Sequence, residues 1–168
     1  MGSGMIMLRK ALREDGRLIH ALVREAHINP FSLDWRRFLL AVDETGAVAG
    51  CIQVKRHADG TREMASLVVV PAHRGAGIAR VLVEAIQAGY PRPLYLTCRS
   101  QLQPFYRRFG FRALQKTEMP PYFLRLRRFF EVLRFFLRFN EELTVMVWDE
   151  ASEPDLLAAN SLELTKIP

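Results

Sequence analysis

Cysteine is scarce in this chain: Cys51 and Cys98 are the whole supply among 168 residues, and neither sits in a C-x-x-C pair. That is too few for a disulfide framework, so a reduced, cytoplasmic compartment is expected. Histidine is sparse as well, and its four copies lack metal-ligand spacing, so no metal centre is expected. No stretch is long and uncharged enough to span a bilayer, and the amino terminus has no signal-peptide pattern. Neither zinc-finger spacing nor an arginine-aromatic RNA-binding platform occurs, so nucleic acid is not an expected partner. Internal repeats and low-complexity tracts are missing too.

What is present is the composition of a soluble globular protein, 49% hydrophobic and 25% charged. The length suits one domain whose core needs no staples. We place that domain at residues 5–150, read Met1-Gly2-Ser3-Gly4 as an expression remnant, and read 151–168 as a tail without clear periodicity. A net charge of +6 suits an anionic ligand such as a nucleotide cofactor.

Ile6 to Ala11 alternates as a strand. Asp15 then reads as a helix cap ahead of the stripe Leu18, Ile19, Leu22, Val23 and Ala26, which Asn29-Pro30 ends. Ser32 is read as capping a short helix through Asp34-Trp35-Arg36-Arg37. Strands follow at Phe38–Val42 and Ala47–Val54 around a Glu44-Thr45-Gly46 turn, with Gly50 marking a bulge or a close backbone approach. Asp59-Gly60 signals a hairpin into a strand over Arg62–Val70. Beyond Pro91 and Pro93 come a strand at Leu94–Thr97, a helix over Leu102–Phe109 ended by Gly110, and strands at Phe111–Lys116 and Leu143–Trp148.

The stretch Leu67 to Ile86 organises the rest. Val68, Val69 and Val70 are β-branched and stopped by Pro71, whereas Ile78, Val81, Leu82, Ala85 and Ile86 recur at helical spacing. Between them, Arg74-Gly75-Ala76-Gly77-Ile78-Ala79 turns strand into helix. Unpaired N–H groups at such a helix start form an anion site, which glycines let a phosphate approach. A P-loop would need Lys and Ser or Thr after its last glycine, but Gly77 is followed by Ile78 and Ala79. A dinucleotide fingerprint would need glycine or alanine at Arg80 and a later acid, yet no Asp or Glu occurs from Ala85 to Thr117.

The remaining pattern, R-x-x-G-x-A, resembles the acetyl-CoA pyrophosphate loop of the GNAT superfamily of N-acetyltransferases. Phe105-Tyr106-Arg107-Arg108-Phe109-Gly110-Phe111 is similar to the F-Y-x-x-x-G-F signature of that superfamily, in the expected order. N-P-F-S-L-D-W-R-R-F and E-M-P-P-Y-F also resemble one bacterial and plastid-type subgroup. Arg99 departs from the pattern, standing where many relatives carry Asn. The resemblance implies an α/β GNAT fold, a mixed and mostly antiparallel sheet of about six or seven strands flanked by helices.

It further implies that the amides of Arg74, Gly75, Ala76, Gly77, Ile78 and Ala79 hold the diphosphate of acetyl-CoA, with the Arg74 side chain as an extra clamp. The strand at Val68, Val69 and Val70 would splay from Leu94–Thr97, the main chain of Val68 and Val70 pairing with pantetheine and the Val68 N–H facing the oxyanion. Tyr106 would protonate the leaving sulfur, although an aromatic beside Phe105 and Phe109 also suits a plain core role. Glu63 is the base by resemblance, acting directly or through water; His57 and His73 are alternatives that also read as turn residues. Both cysteines read as buried strand residues.

The acceptor side is expected at Asn29–Arg37 and in a helical insertion over 120–140. There Pro121 opens a helix ended by Asn140. Its greasy face holds Leu126, Phe129, Phe130, Leu133, Phe136 and Leu137, flanked by Phe135 and Phe139, opposite Arg127, Glu131, Arg134 and Arg138. It serves a cleft wall plus a homodimer contact, or a membrane surface. The function expected is acetyl transfer from acetyl-CoA to a primary amine of a small molecule, amino acid or protein, by direct attack in a ternary complex. An acyl-CoA sensor without turnover and a basic membrane- or partner-binding protein are the alternatives.

Overall fold

The computed structural model describes residues 5–29, 31–137 and 143–152, for 133–137 the backbone alone. The readings placed on Met1–Gly4, Pro30, Arg138, Phe139, Asn140 and the 153–168 tail lie outside the described residues, as do those on the side chains of Leu133 to Leu137. Contacts divide the chain into two compact units, Met1–Arg56 with Arg62–Pro91, and His57–Thr61 with Arg92–Pro168.

The first unit is built on four antiparallel strands in sequence order, β1 (Met7–Lys10), β2 (Phe38–Val42), β3 (Val48–Arg56) and β4 (Arg62–Val69). Alternation sends neighbouring β3 side chains to opposite faces. Cys51 faces α1 (Gly16–Glu25), joining Ile19, Val23, Phe38, Leu40, Val42 and Val68 in one core. Gly50 faces the other way, onto α2 (Ile78–Gly89).

Gly50 is the close approach read from sequence. A Cβ there would lie 2.8 Å from Val68 O and 3.1 Å from Ile78 Cγ2. The first neighbour is backbone, so the strand itself must give way. Gly50→Ala is therefore expected to destabilise the fold by about 1–3 kcal/mol, read as a lowered midpoint in urea. An unchanged midpoint would show that β3 and β4 do not approach this closely.

Caps differ from the sequence reading in two places. Asp34, not Ser32, accepts from Arg36 N to start the 3₁₀ turn at Trp35–Arg37. Ser32 itself sits at a positive φ of 59°. The carboxylate of Asp15 makes no cap bond to α1, because Arg9 Nη1 at 2.7 Å, Arg9 Nη2 at 2.9 Å and Leu12 N at 2.7 Å already occupy it. The Arg9 hydrogen bonds hold it below the usual carboxylate range.

A bulge interrupts β4. Cys51 pairs with Val68 but Gln53 pairs with Ala65, so β4 carries one extra residue at Ser66–Leu67. Ser66 takes a positive φ of 55° there.

The second unit has strands β5 (Leu94–Arg99), β6 (Arg112–Ala113) and β7 (Leu143–Trp148) in the order β5-β7-β6, again antiparallel, with helices α3 (Gln103–Arg107) and α4 (Pro121–Leu137). The strand read over Phe111–Lys116 shrinks to two residues because Lys116–Glu118 turns as a 3₁₀ helix, with Gln115 N donating to Glu118 Oε2. Pro121 does open α4, and Asp59 Oδ2 caps it by accepting from Tyr122 N at 3.1 Å. Phe123 is the buried anchor of this helix, within the cluster of Leu114, Met119, Val145 and Val147. Phe129 lies six residues on, about 120° away around the helix, and is 62% exposed. Phe129 is thus off the side of the helix that Phe123 buries.

Among the described residues no helix is long and apolar enough to cross a membrane.

Candidate functional site

The glycine loop lies in the first unit, where a 3₁₀ turn at Pro71–His73 leads from β4 into it. Gly75 and Gly77 have φ of 82° and 76°, and a Cβ at either would meet nothing within 4 Å. The chain takes left-handed turns here in open space, which glycine does without strain. Gly77 is the N-cap of α2 without a side-chain cap, and the first closing bond of the helix runs from Val81 N to Gly77 O at 3.1 Å. The amides of Gly75, Ala76, Gly77, Ile78, Ala79 and Arg80 consequently make no protein hydrogen bond among the described residues. The Arg74 amide does, donating to Pro71 O at 3.3 Å, so only its side chain remains for a ligand.

Ile78 is buried and roots the helix start in the core, whereas Arg74 to Gly77 are exposed. Six free donors at the positive end of a rooted helix make a site of the kind that suits an anion.

The main chain of β4 does not run as the sequence reading places it. Val70 N donates to Ala49 O at 2.9 Å, and Val70 O accepts from His73 N at 2.9 Å. Val70 therefore has no main-chain group left for pantetheine. Along a strand, main-chain groups alternate between its two edges, so Val68, two residues earlier and paired with Cys51, also directs its N–H and C=O at β3. Leu67 and Val69 face the opposite edge. Sequence could not show this, because the bulge at Ser66 sets the phase.

Glu63 lies on β4 opposite Lys55, and both are buried, 5% and 7% exposed. Neither is the solvated strand-end charge that a polar residue beside a turn usually is. Burial pushes the Lys55 ammonium below its usual range, Glu63 nearby opposing that shift and Arg37 adding to it. Lys55 Nζ donates to Phe31 O at 3.0 Å. On the same face Gln53 is 0% exposed and gives its Nε2 to Ser66 Oγ at 3.0 Å, while its Oε1 has no hydrogen-bond partner. Sequence reasoning missed Gln53, Lys55 and Ser66. Alternating polar residues on a strand read as a wet face, whereas these are buried in the fold.

Tyr106 lies in the second unit, on α3, its ring 5.0 Å from that of Phe105 and 6.1 Å from that of Phe111. Burial, with the Cys98 thiol nearby, lifts its phenol above the usual tyrosine range. Gly110 takes the left-handed φ of 78° after that helix, as its position suggests. The two cysteine thiols are pushed up to about 12 at Cys51 and about 11 at Cys98 by burial, so neither is a nucleophile near neutral pH.

His57 and His73, the alternatives to Glu63, each have a close neighbour. His57 stacks on Tyr122 with ring centroids 3.4 Å apart, and His73 Nε2 lies 3.4 Å from Asp43 Oδ2.

Comparison with known proteins gives these features a context. Residues 34–113 match the family model of the acetyltransferase (GNAT) domain, which spans β2 through β6 and includes the glycine loop and the Tyr106 helix. N-acetylglutamate synthase from Neisseria gonorrhoeae, solved with coenzyme A and L-arginine, superposes with a TM-score of 0.65 at 20% identity, over 84% of this chain and 33% of that one. The chain thus spans about a third of the synthase. Rv2747 from Mycobacterium tuberculosis, solved with CoA, gives 0.63 at 19% identity over 85% and 98%. Escherichia coli ElaA gives 0.58 at 15% over 86% and 100%. No curated protein sequence matches the chain significantly. Residues 34–113 thus carry the acetyltransferase (GNAT) domain, and the chain has the fold of GNAT acetyltransferases.

Proposed function

We propose that residues 5–150 act as one N-acetyltransferase domain that moves the acetyl group of acetyl-CoA to a primary amine by direct attack. The observation that carries this reading is the run of unpartnered amides from Gly75 to Arg80 at the α2 start. Those amides and the exposed Arg74 side chain suit a diphosphate. The β4 edge at Leu67 and Val69 suits the amides of pantetheine, which would join it as an added strand. Acetyl-CoA supplies an activated thioester carbonyl, and the chain's own groups do the rest. The Leu67 N–H, beside the bulge, takes the oxyanion-donor role first given to Val68. Glu63 accepts a proton from the amine, directly or through one water, as a carboxylate buried on the α1 face of β4. The Tyr106 phenol, kept protonated by burial, returns a proton to the sulfur.

Proton bookkeeping closes, since one is taken at nitrogen and one delivered at sulfur. The GNAT neighbours solved with CoA support the same ligand for this chain.

Calorimetric titration with CoA tests the reading, with saturable binding at one site per chain as the expected result. Thiol release from acetyl-CoA across a panel of primary amines then identifies the acceptor. Absence of CoA binding would remove the proposal.

A further inference from the structure

One face of the first unit hides polar side chains that a plain sheet core would not keep. Gln53, Lys55, Glu63 and Ser66 are all at least nine-tenths buried on the adjacent strands β3 and β4. Among the described residues, Gln53 Oε1 is the single buried side-chain oxygen without a hydrogen-bond partner. Buried polar atoms in folded proteins are nearly always satisfied, and an orphan carbonyl oxygen is a standing invitation to a donor. Ser66 Oγ accepts the other end of that amide at 3.0 Å, which fixes where Oε1 points.

We infer that Gln53 Oε1 receives an N–H of the acceptor's amino group, Ser66 holding the amide in that orientation; the inference rests on the acetyltransferase reading above. An sp² oxygen can only accept, so its ligand must bring N–H or O–H. An attacking amine must aim its lone pair at the carbonyl carbon, and this requires its N–H bonds to be held elsewhere. The location suits that task. Ser66 forms the bulge immediately before Leu67, and Glu63 lies on the same α1-side face through its pairing with Lys55. The glycine loop opens α2 on the other face, where Gly50 meets Ile78. Amine and diphosphate therefore approach β4 from opposite sides.

This face is covered. Ile28, Leu33 and Trp35 pack on the cluster that includes Cys51, and Lys55 holds Phe31 O. Gln53 sits between Cys51 and Lys55 along β3, on the same face as both. The acceptor enters where Lys55 releases Phe31 O, a single hydrogen bond to break.

Methylamine is the probe, chosen as the smallest primary amine with a carbon substituent, assayed by thiol release at saturating acetyl-CoA on the full chain. Gln53→Met keeps the volume and removes the oxygen. It should raise the methylamine KM by about tenfold or more and lower kcat as well, because the amine is then neither held nor aimed. The CoA dissociation constant should not move. If Gln53→Met does not fold, Ser66→Ala decides, since it frees the amide and should raise the same KM by about threefold. An unchanged KM in the variant that folds, as a permanently bound water at Oε1 would give, overturns the inference and leaves the acetyltransferase reading standing. A wild-type protein that fails to bind CoA overturns that reading instead.

Discussion

Gly77→Asp should weaken CoA binding by at least about 100-fold while leaving the protein folded. The two halves of that expectation come from different features. A Cβ at Gly77 would meet nothing within 4 Å, so the substitution clashes with no part of the protein. The cost to the fold is that of placing an L-residue at φ 76°, about 1–2 kcal/mol and less for Asp and Asn. In a chain of this size that lowers the melting temperature by only about 2–4 °C per kcal/mol.

The cost to binding is electrostatic. A carboxylate about 4 Å from a diphosphate charge, at an effective dielectric near 20, opposes it by about 4 kcal/mol. Gly77→Asn separates the two effects, because it carries the same backbone strain and similar bulk without charge. Its affinity should lie between those of wild type and Gly77→Asp. Equal CoA affinity in wild type and Gly77→Asp, measured by calorimetry, would place the diphosphate elsewhere.

That loop was legible in the residues because its chemistry is local: two glycines, a preceding strand and an apolar helical stripe lie within twenty positions. The strands at Phe38–Val42 and Leu143–Trp148 were legible for the same reason, their boundaries matching the apolar runs. Gly50 was readable as an anomaly, a residue without a side chain in an otherwise bulky strand. What the sequence withheld depends on partners far along the chain. Asp15 looks like a cap until Arg9 is seen to occupy it. Asp59, read as a turn residue, also caps a helix 63 positions away.

The errors at Val68 and Val70 are of another kind. An extra residue in β4 changes which main-chain groups face which edge, and no pattern of side chains records it. Likewise Gln53 and Lys55 alternate with apolar neighbours as an exposed strand would. Yet both are buried, and Lys55 is held by Phe31 O, more than twenty residues earlier.

Tyr106→Phe carries the second large expectation, a fall in turnover of at least about 100-fold with CoA affinity unchanged. The two roles open to this residue, core aromatic and proton donor, part company in this variant. Phenylalanine keeps the ring contacts with Phe105 and Phe111, so a purely structural Tyr106 predicts normal turnover. The high phenol pKa produced by burial is compatible with donation. In water a tyrosine near 10 delivering to a thiol near 8.5 works uphill by about 2 kcal/mol. Burial raises the basicity of a thiolate generated beside it as well, so the difference between the two groups, and not the tyrosine value alone, sets the cost. The thiolate is a competent leaving group even unaided, which keeps the expected loss at the low end for general acids. Single-turnover measurement at saturating acetyl-CoA checks the chemical step apart from product release, and a rate equal to wild type would return Tyr106 to the core.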